Sequence, residues 1–383
     1  MTNPQSGASH RHQPSSDKVL NVGISMLTLV PGGMGGSETY ARELTRQFAA
    51  SSTVKATCYV NDGARGFSQG ADEIVIPGLN GGASTVQRLA TLAKGMIRRK
   101  SILGSMRPMD VFHVPFTVPL PKPAKKTPFV QTLLDVQHLD LPELFGAADK
   151  FYRKIFYEKA AREADAIVTI SDFAKASIVD HLGIDPEKIF TAHLGVNAEE
   201  FTPNLGRRGN FIMYPARGWK HKNHATLFEA MKLLADSNPE LRLVLTGGAL
   251  DTLTDIPANV EVRGLVPLAE LRELYRTAAC MVFPSLYEGF GLPPLEAMAS
   301  GCPVASSTAG SLPEIVGDAA VLFDPHDPEA IASAIRTAIA KTEELQILGL
   351  GQVQKFTWEH CANVHEQAYR YAFDRRTGDS STA

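Results

Sequence analysis

The sequence predicts an α/β protein of two doubly wound, Rossmann-like domains that face each other across a cleft. The chain has 383 residues, which is more than one ordinary hydrophobic core organises. Strand-like and helix-like segments alternate from residue 19, and the alternation starts again at Phe211 after a Gly- and Arg-rich stretch. Alternating β and α segments are typical of parallel sheets covered by helices on both faces. We therefore predict a first domain over residues 18–200, a linker over 201–210 and a second domain over 211–357.

Composition indicates an ordinary globular protein. Hydrophobic residues make up 44% of the chain and charged residues 21%, as in typical globular domains. The formal net charge of -3 gives no reason to expect a nucleic-acid partner. The apolar run from Val19 to Val30 ends in Pro31-Gly32-Gly33. It therefore fits a buried first strand better than a signal sequence or a membrane span.

The cysteines and the chain ends support the same interpretation. The four cysteines are scattered without metal-type spacing, and Cys58, Cys280 and Cys302 lie in or beside apolar, strand-like runs. Such thiols are expected to be small buried residues of a protein in a reducing compartment, here the cytoplasm. Residues 1–17 are rich in Ser, His, Gln and Pro and are predicted to be disordered, and residues 374–383 to form a loose tail.

The first domain opens with a strand, a glycine-rich loop and a helix. Residues 31–38 read PGGMGGSE, and a helix with Tyr40 on its apolar face follows. This layout is typical of a turn that cradles phosphate, although it matches neither GxGxxG nor a P-loop. A flexible loop with Ser37 as helix N-cap is the alternative.

Polar residues at strand ends mark a rim beside this loop. Asp135 and His138 come just past the predicted strand Phe129–Leu134, and His113 lies in the strand before it. Ligands of open parallel sheets bind outside the carboxyl ends of the strands. We therefore expect His113, Asp135 and His138 at the same edge as the glycine loop. For His113, a satisfied core histidine is the alternative.

A helix predicted over Thr85–Arg99 ends in the basic run Ile97-Arg98-Arg99-Lys100. A solvated helix C-terminus explains this charge best, because cations are favourable there. A peripheral contact with the inner face of a membrane is the alternative.

The second domain begins with a strand and a basic loop. Arg217 and Lys222 are five positions apart between the strand Phe211–Ala216 and the helix that starts at Ala225. Paired cations in such a loop suit a diphosphate, and a solvated charge run is the alternative. Further strands are predicted over 241–246, 260–263, 280–284, 304–306 and 320–323, with helices over 269–277, 328–341 and 358–373.

The most informative stretch is residues 287–301, YEGFGLPPLEAMASG, in which Glu288 and Glu296 are eight positions apart. Pro293 or Pro294 fits a first helical turn, and Gly301 fits the position after the helix end. Glu296 is then expected in the first turn of this helix, and Glu288 in the loop before it. Carboxylates accept protons from hydroxyl groups and backbone N–H groups face phosphate oxygens. The stretch therefore predicts a site for a polyhydroxylated, anionic ligand, with a plain surface loop as the alternative.

Further along the chain, Ser311-Leu312-Pro313-Glu314 has the spacing of a capping box, in which Ser311 and Glu314 cap one short helix.

From about residue 19 to about 373, the chain resembles family 4 of the retaining GT-B glycosyltransferases. The segment from Glu288 to Glu296 is similar to that family's Glu-x7-Glu motif. The segments ADAIVTISDFAKASIVDHLGI, HLGVNAEEF, NVEVRGLV, PSLYEGFGLPPLEAMASGCPVA and GSLPEIVGDAA resemble further parts of family members. The segment from Trp358 resembles a terminal helix that crosses back over the first domain.

The resemblance implies transfer of a sugar from a nucleotide diphosphate to an acceptor hydroxyl, with retention at the anomeric carbon and without a required metal or other cofactor. Glu288 would bind the transferred sugar and Glu296 the ribose hydroxyls. The implied donor-binding set comprises Gly35, Gly36, Arg217, Lys222, Arg263, Phe290, Gly291, Leu292 and Glu296.

The chain departs from the family in one loop. Many relatives read His-Asp where this chain has Leu134-Asp135, and a histidine follows only at His138. The catalytic candidates are therefore Glu288, Asp135 and His138, with His138 replacing the family histidine near the reacting sugar. If neither His138 nor His113 reaches the site, the departing phosphate oxygen would deprotonate the acceptor, as is thought for retaining GT-B enzymes. Positioning and charge stabilisation would then carry catalysis.

The resemblance is greatest to mannosyl transfer from GDP-mannose in polysaccharide or glycolipid biosynthesis. UDP-glucose and UDP-N-acetylglucosamine are alternative donors. A nucleotide-sugar epimerase of the same architecture and a non-catalytic binding subunit are alternative functions. The partners expected are a nucleotide-sugar donor and a glycan or glycolipid acceptor. The acceptor's identity and the oligomeric state stay open.

Overall fold

The computed structural model describes residues 18–82 and 85–378, so the expected disordered segment 1–17 and residues 379–383 lie outside it. The described residues form two parallel sheets of seven and six strands. The strands of the first sheet are β1 Leu20–Met26, β2 Val54–Val60, β3 Asp72–Val75, β4 Val111–Val114, β5 Phe129–Thr132, β6 Ala166–Thr169 and β7 Ile189–Thr191. Those of the second sheet are β8 Phe211–Pro215, β9 Arg242–Thr246, β10 Val260–Gly264, β11 Cys280–Phe283, β12 Val304–Ser307 and β13 Val321–Phe323.

The α-helices connect these strands and cover the sheets. In the first half they are α1 Gly36–Ala49, α2 Thr85–Ile97, α3 Arg99–Gly104, α4 Gln137–Asp140, α5 Ala147–Arg153, α6 Lys159–Glu163 and α7 Asp172–Leu182. In the second half they are α8 His224–Ser237, α9 Leu268–Thr277, α10 Leu292–Ala299, α11 Leu312–Val316, α12 Pro328–Ala340, α13 Thr342–Val353 and α14 Trp358–Gly378. The predicted fold class, two doubly wound α/β domains, is confirmed.

The order of the strands in each sheet determines where a ligand-binding crevice can form. The first sheet runs β3-β2-β1-β4-β5-β6-β7 and the second β10-β9-β8-β11-β12-β13. In each sheet the order reverses beside the first strand of its domain, between β1 and β4 and between β8 and β11. The residues of β4 and β11 are buried, as expected for central strands with helices on both faces. Loops diverge at these reversal points and leave a crevice at the carboxyl ends of the strands.

The last helix belongs to the first sheet. α14 packs against α1 and against β4 to β7, as the resemblance implies for a helix that crosses back. It continues to Gly378 instead of ending at Phe373.

A buried chain of hydrogen bonds joins α14 to the first domain. Its steps measure 2.9, 2.8, 2.8, 2.6 and 2.8 Å. The last acceptor is a backbone carbonyl, so His365 Nδ1 donates to it. Because the lowered pKa values of both histidines keep their rings neutral, each preceding group then donates forward. In order from donor to final acceptor, the members are Tyr369, His113, Thr132, Tyr40, His365 and the carbonyl of Cys361.

This chain identifies His113 as a satisfied core histidine, the alternative named above. Burial, reinforced by the nearby ring of His365, holds the pKa of His113 well below its usual range. Burial also lowers the pKa of His365 to about 4, although its bond to the Cys361 carbonyl opposes the shift. Both rings therefore stay uncharged at neutral pH.

All four cysteines are free and buried, which confirms the burial predicted for Cys58, Cys280 and Cys302. Within residues 18–82 and 85–378, no helix is both long enough and apolar enough to cross a bilayer.

Candidate active site

The loop between β11 and α10 forms one wall of the site. α10 begins at Leu292, with Pro293 and Pro294 in its first turn, as predicted. Gly301 follows the helix end with φ of +68°, also as predicted. The expected position of Glu296 is wrong, because the helix starts at Leu292 and Glu296 falls in the second turn.

Backbone donors of this loop point to an anion site. Gly291 precedes the helix with φ of +124°, a conformation that glycine adopts far more readily than other residues. Within the described ranges, the N–H groups of Phe290 and Gly291 meet no hydrogen-bond acceptor. They lie at the N-terminus of a helix without a side-chain cap, where the helix dipole attracts negative charge.

Neighbouring loops hold this wall in place. The hydroxyl of Ser311 lies 3.0 Å from the carbonyl oxygen of Glu288 and 2.6 Å from that of Phe290. Gly310 has φ of +62°, and a Cβ there would lie 2.6 Å from the Glu288 carbonyl oxygen. Ser171 caps α7 and donates across the cleft to the Gly289 carbonyl at 2.8 Å. These contacts fix the backbone on both sides of Glu288.

The cleft between the domains contains a cavity of about 330 Å³ with walls from both sheets. Gly36 and the Leu292 side chain face each other, since a Cβ on Gly36 would lie 3.6 Å from Leu292 Cδ1. The predicted site residues that line this cavity are Gly36, Asp135, Lys222, Glu288, Phe290, Gly291 and Leu292. We call it the donor cavity, because the resemblance noted above implies donor binding for most of these residues.

Lys222 and Glu288 form the charged centre of the donor cavity. Lys222 Nζ lies 2.5 Å from Glu288 Oε1, and each side chain is only 14% exposed. A hydrogen bond of 2.8 Å from the Tyr214 hydroxyl to the Lys222 carbonyl holds the loop. The pKa of neighbouring His221 is lowered to about 4 by burial and then by Lys222, so that ring adds no charge. The pair therefore presents one cation and one carboxylate to a ligand.

Asp135 reaches the donor cavity from the opposite wall. Its Oδ1 accepts a hydrogen bond of 3.1 Å from Gln137 N, and a Cβ on Gly289 would lie 3.0 Å from Oδ2. Burial raises the pKa of Asp135, and the positive charge of Arg153 opposes that shift. A carboxyl whose pKa is raised by desolvation is suited to proton transfer.

His138 does not line the donor cavity. Its ring is 1% exposed and packs edge-on against Phe145 and Tyr157. Burial and then Arg153 lower its pKa to about 4. The nearest charged partner in the described chain is Glu158, whose Oε1 is 3.5 Å from His138 Nε2. Gln137 lines the cavity in its place.

The other predicted residues do not line the donor cavity. Glu296 accepts a hydrogen bond of 2.9 Å from the Tyr275 hydroxyl. Burial raises the pKa of Glu296, while Tyr275 and Arg272 oppose the shift. Arg217 lines an adjoining cavity, Arg263 forms ion pairs with Glu261 and Glu270 outside both, and Gly35 is the residue before α1 with φ of +56°.

Glu314 connects the two domains and corrects the predicted capping box. Ser311 does not cap α11 with its side chain. Instead, the Glu314 carboxylate accepts hydrogen bonds from Asp172 N at 2.8 Å and Phe173 N at 3.1 Å, the start of α7 in the other domain. His193 Nε2 lies 2.5 Å from the same carboxylate. Among the described residues, one His/Asp/Glu cluster has metal-type spacing, and it consists of Asp172, His193 and Glu314. The contacts above already engage both carboxylate oxygens of Glu314.

Sequence reasoning missed several residues that complete the site. Ser37, Tyr40, Trp219 and Tyr287 line the donor cavity. Tyr287 also donates to Asp140 of the first domain at 2.9 Å. Ser37 lies in the glycine loop and Tyr40 just after it, Trp219 lies between Arg217 and Lys222, and Tyr287 precedes Glu288. Adjacency to the motifs could therefore have identified all four.

Two sheets with a cleft between them, a basic loop and a Glu-x7-Glu loop define a GT-B glycosyltransferase. Two family comparisons support this class. The family described as Glycosyl transferases group 1 matches residues 197–349, and Glycosyltransferase Family 4 matches residues 34–200.

Individual relatives agree with these matches. The O-antigen chain mannosyltransferase B of Escherichia coli is 30% identical over 265 residues, which cover 63% of this chain and 70% of that protein. A D-inositol 3-phosphate glycosyltransferase of Thermobifida fusca is 30% identical over 241 residues, covering 55% of this chain and 56% of that protein. The chain belongs to family 4 of the GT-B glycosyltransferases and is a hexosyltransferase.

A solved structure shows the same fold. The sucrose-phosphate synthase from Thermosynechococcus elongatus superimposes with a TM-score of 0.75 at 21% identity, covering 93% of this chain and all of that one.

Proposed function

We propose that this enzyme transfers mannose from GDP-mannose to a hydroxyl of a glycan or glycolipid acceptor, with retention at the anomeric carbon. The observation that carries the proposal is the Lys222–Glu288 pair, which faces the glycine loop across the donor cavity. The mannosyltransferase name of the Escherichia coli relative supports mannose as the transferred sugar.

Each wall has a proposed role. The Glu288 carboxylate accepts hydrogen bonds from sugar hydroxyls, and Lys222 moves from Glu288 to the donor diphosphate. The free N–H groups of Phe290 and Gly291 add donors to the same anion, and Arg217 approaches it from the adjoining cavity. Together these groups stabilise the charge that develops on the leaving diphosphate. Glu296 binds the ribose hydroxyls, and its carboxylate then accepts hydrogen bonds from both the ribose and Tyr275. Gly35 and Gly36 have no side chains, so the donor can approach the backbone of the first domain there.

Because Lys222 and Arg217 supply positive charge, we propose that transfer needs no metal. Activity unchanged by a chelator would support this, and activity restored only by Mg²⁺ or Mn²⁺ would contradict it.

Proton transfer has two candidate routes. Asp135 lines the cavity and its pKa is raised by burial, so it can take a proton from the acceptor hydroxyl. Otherwise the departing phosphate oxygen takes that proton. His138 could act only after α4 rearranges, since its ring packs behind the cavity wall. Asp135→Asn separates the two routes. Transfer is lost in that variant if Asp135 is the base, and it is kept if the phosphate oxygen is the base.

UDP-glucose and UDP-N-acetylglucosamine are the alternative donors, and an inositol phosphate acceptor is suggested by the name of the Thermobifida fusca relative. Thermal-shift titration with GDP-mannose and with UDP-sugars decides between donors, because a ligand that binds the folded state raises its melting temperature. Stabilisation by a UDP-sugar alone would refute the GDP-mannose assignment. Conversion of the donor to its epimer without acceptor would identify an epimerase instead.

We also propose a peripheral location at the inner membrane face for the enzyme. At the end of α2, Met96 is 59% and Ile97 86% exposed, beside the basic residues Lys94 and Lys100. Basic residues next to exposed apolar ones bind anionic lipid surfaces. Co-sedimentation with anionic vesicles, lost in Ile97→Glu, would support this location, and equal sedimentation of both proteins would contradict it.

A further inference from the structure

The second cavity, of about 790 Å³, adjoins the donor cavity. Ser37 and Trp219 line both cavities, so a molecule in the second cavity can place one end beside the donor. This adjoining cavity is here called the arginine cavity, because Arg88, Arg153 and Arg217 line it.

The charge of the arginine cavity is one-sided. No aspartate or glutamate is among the described residues that line it. In the part of the chain that the structure describes, no carboxylate lies within ion-pair distance of any of its three arginines. This concentration of positive charge contrasts with the formal net charge of -3 of the whole chain. A cleft lined by one sign of charge attracts ligands of the opposite sign.

Aromatic rings, instead of acids, hold two of these arginines. The Arg153 guanidinium carbon lies 4.6 Å from the Phe145 ring centre and 5.0 Å from that of Tyr157. Arg217 lies 5.2 Å from the ring centre of Trp219. Stacking fixes the plane of a guanidinium while leaving its N–H groups in that plane for an oxyanion.

Arg88 and Arg153 both act on the charge of Tyr152. Burial, and then Tyr157, raise the pKa of Tyr152 to about 12, whereas the charges of both Arg88 and Arg153 act to lower it. Tyr152 itself lines the arginine cavity. Among the residues that the structure describes, Arg88 makes one hydrogen bond, of 3.2 Å from Nε to the Gly82 carbonyl, and its two terminal nitrogens meet no acceptor there.

We propose that the arginine cavity binds the acceptor and that this acceptor carries a phosphate group, which Arg88 and Arg153 recognise. Arg217 is assigned to the donor diphosphate, so two cations are left for one dianionic phosphate. Guanidinium groups bind phosphate through paired, charge-assisted hydrogen bonds. The acceptor hydroxyl then extends past Ser37 and Trp219 toward the donor sugar. This assignment rests on the proposed transferase function.

The test uses the full chain with its donor cavity saturated by nucleoside diphosphate, GDP or UDP according to the donor screen. Calorimetric titrations with mannose, mannose 6-phosphate and glucuronate then report binding to the rest of the cleft. We expect mannose 6-phosphate to bind and mannose to bind at least about tenfold more weakly, because charged hydrogen bonds are lost. Equal binding of mannose, or preferred binding of glucuronate, would overturn the assignment, as would failure of every phosphorylated probe to bind.

Variants locate the binding. Arg88→Gln and Arg153→Gln should each weaken mannose 6-phosphate at least about tenfold, with unchanged affinity for the nucleoside diphosphate. Arg153→Lys keeps the charge without the fork and should be intermediate, which guards against a packing defect at Phe145. Arg336→Gln removes an exposed arginine that lines neither cavity and should have no effect. Unchanged phosphate binding in both glutamine variants would refute the roles of Arg88 and Arg153.

A comparison of mannose 6-phosphate with a polyprenyl diphosphate-linked mannose in detergent separates a soluble acceptor from a lipid-linked one. Preference for either keeps the phosphate assignment and names its source. If no nucleotide binds at all, the transferase proposal fails. If nucleotide binds and the arginine variants behave as the unmodified enzyme, only the acceptor assignment fails.

Discussion

Replacing Glu314 with alanine tests how the two domains are joined. The carboxylate accepts hydrogen bonds from Asp172 N and Phe173 N and pairs with His193. The side chains of Glu314 and His193 are 24% and 26% exposed, so solvent screens the contacts only in part. Loss of a helix cap costs about 1 kcal/mol, and loss of charged hydrogen bonds costs roughly 1.5–3 kcal/mol each before screening. We expect Glu314→Ala to lower the free energy of unfolding by about 3 kcal/mol.

Differential scanning calorimetry measures this loss. The unfolding entropy is about 2.1 cal/mol/K per residue, or about 0.8 kcal/mol/K for the 383 residues of the chain unfolding together. A loss of about 3 kcal/mol then lowers the melting temperature by about 4 °C. Glu314→Gln keeps one acceptor oxygen and should lose about half as much. Glu240→Ala, at an exposed position without an ion pair among the described residues, is the matched control.

The pH dependence sharpens this test. Burial acts to raise the pKa of Glu314, but the hydrogen bonds from His193 and from the two backbone N–H groups lower it by more than burial raises it. The net shift of this pKa is therefore downward. A carboxyl whose folded-state pKa is depressed stabilises the protein above its unfolded pKa and loses that contribution as the pH falls. The difference between Glu314→Ala and the unmodified protein should therefore narrow at acidic pH. Melting temperatures that coincide with those of Glu240→Ala at neutral pH would refute the interdomain cap.

Three further changes test the site and the core. Gly310→Ala places a Cβ 2.6 Å from the Glu288 carbonyl oxygen at φ of +62°. Transfer should therefore fall at least tenfold in initial-rate assays, and urea unfolding should show a loss of about 1–3 kcal/mol in the free energy of unfolding. Normal rates would contradict the tight packing. Glu288→Gln releases Lys222 toward the diphosphate, so titrations should show donor binding retained while transfer is lost, and normal transfer would contradict the assigned role of Glu288. The pKa of His365 is about 4 in the folded protein and about 6.5 in the unfolded chain, so up to about 3 kcal/mol of folding stability should be lost as the pH falls from 6.5 to 4. Melting temperatures should fall less over this range in His365→Gln, and an equal fall would exclude this histidine as the cause.

The elements were predictable where local sequence decides them. The strands are apolar runs bounded by turn residues, and Gly183 and Gly301 end helices with φ of +58° and +68°, as their positions predict. The Glu-x7-Glu stretch was identifiable because its glycines, prolines and carboxylates lie within one short segment. Local pattern therefore located one wall of the donor cavity.

Contacts between distant residues were not predictable in this way. Glu314 has the spacing of a capping-box partner, but it caps a helix 142 residues away, which a local pattern cannot reveal. His138 follows a strand end as a site residue would, yet α4 rotates its ring behind the cavity wall. Glu296 lies in the second helical turn because Leu292, before the two prolines, already has helical conformation. The arginine cavity draws its cations from three separate segments, so no single motif contains them.

The position of α14 on the first sheet has a consequence for synthesis. On the ribosome, β1 to β7 emerge long before Tyr369 and His365, which complete the buried hydrogen-bond chain through Tyr40 and His113. Domains generally fold as units during translation, N-terminal first. Here the nascent first domain must wait, with the part of its sheet that α14 covers left exposed, until the whole second domain has been made. The domain that is translated first is therefore the one that finishes folding last.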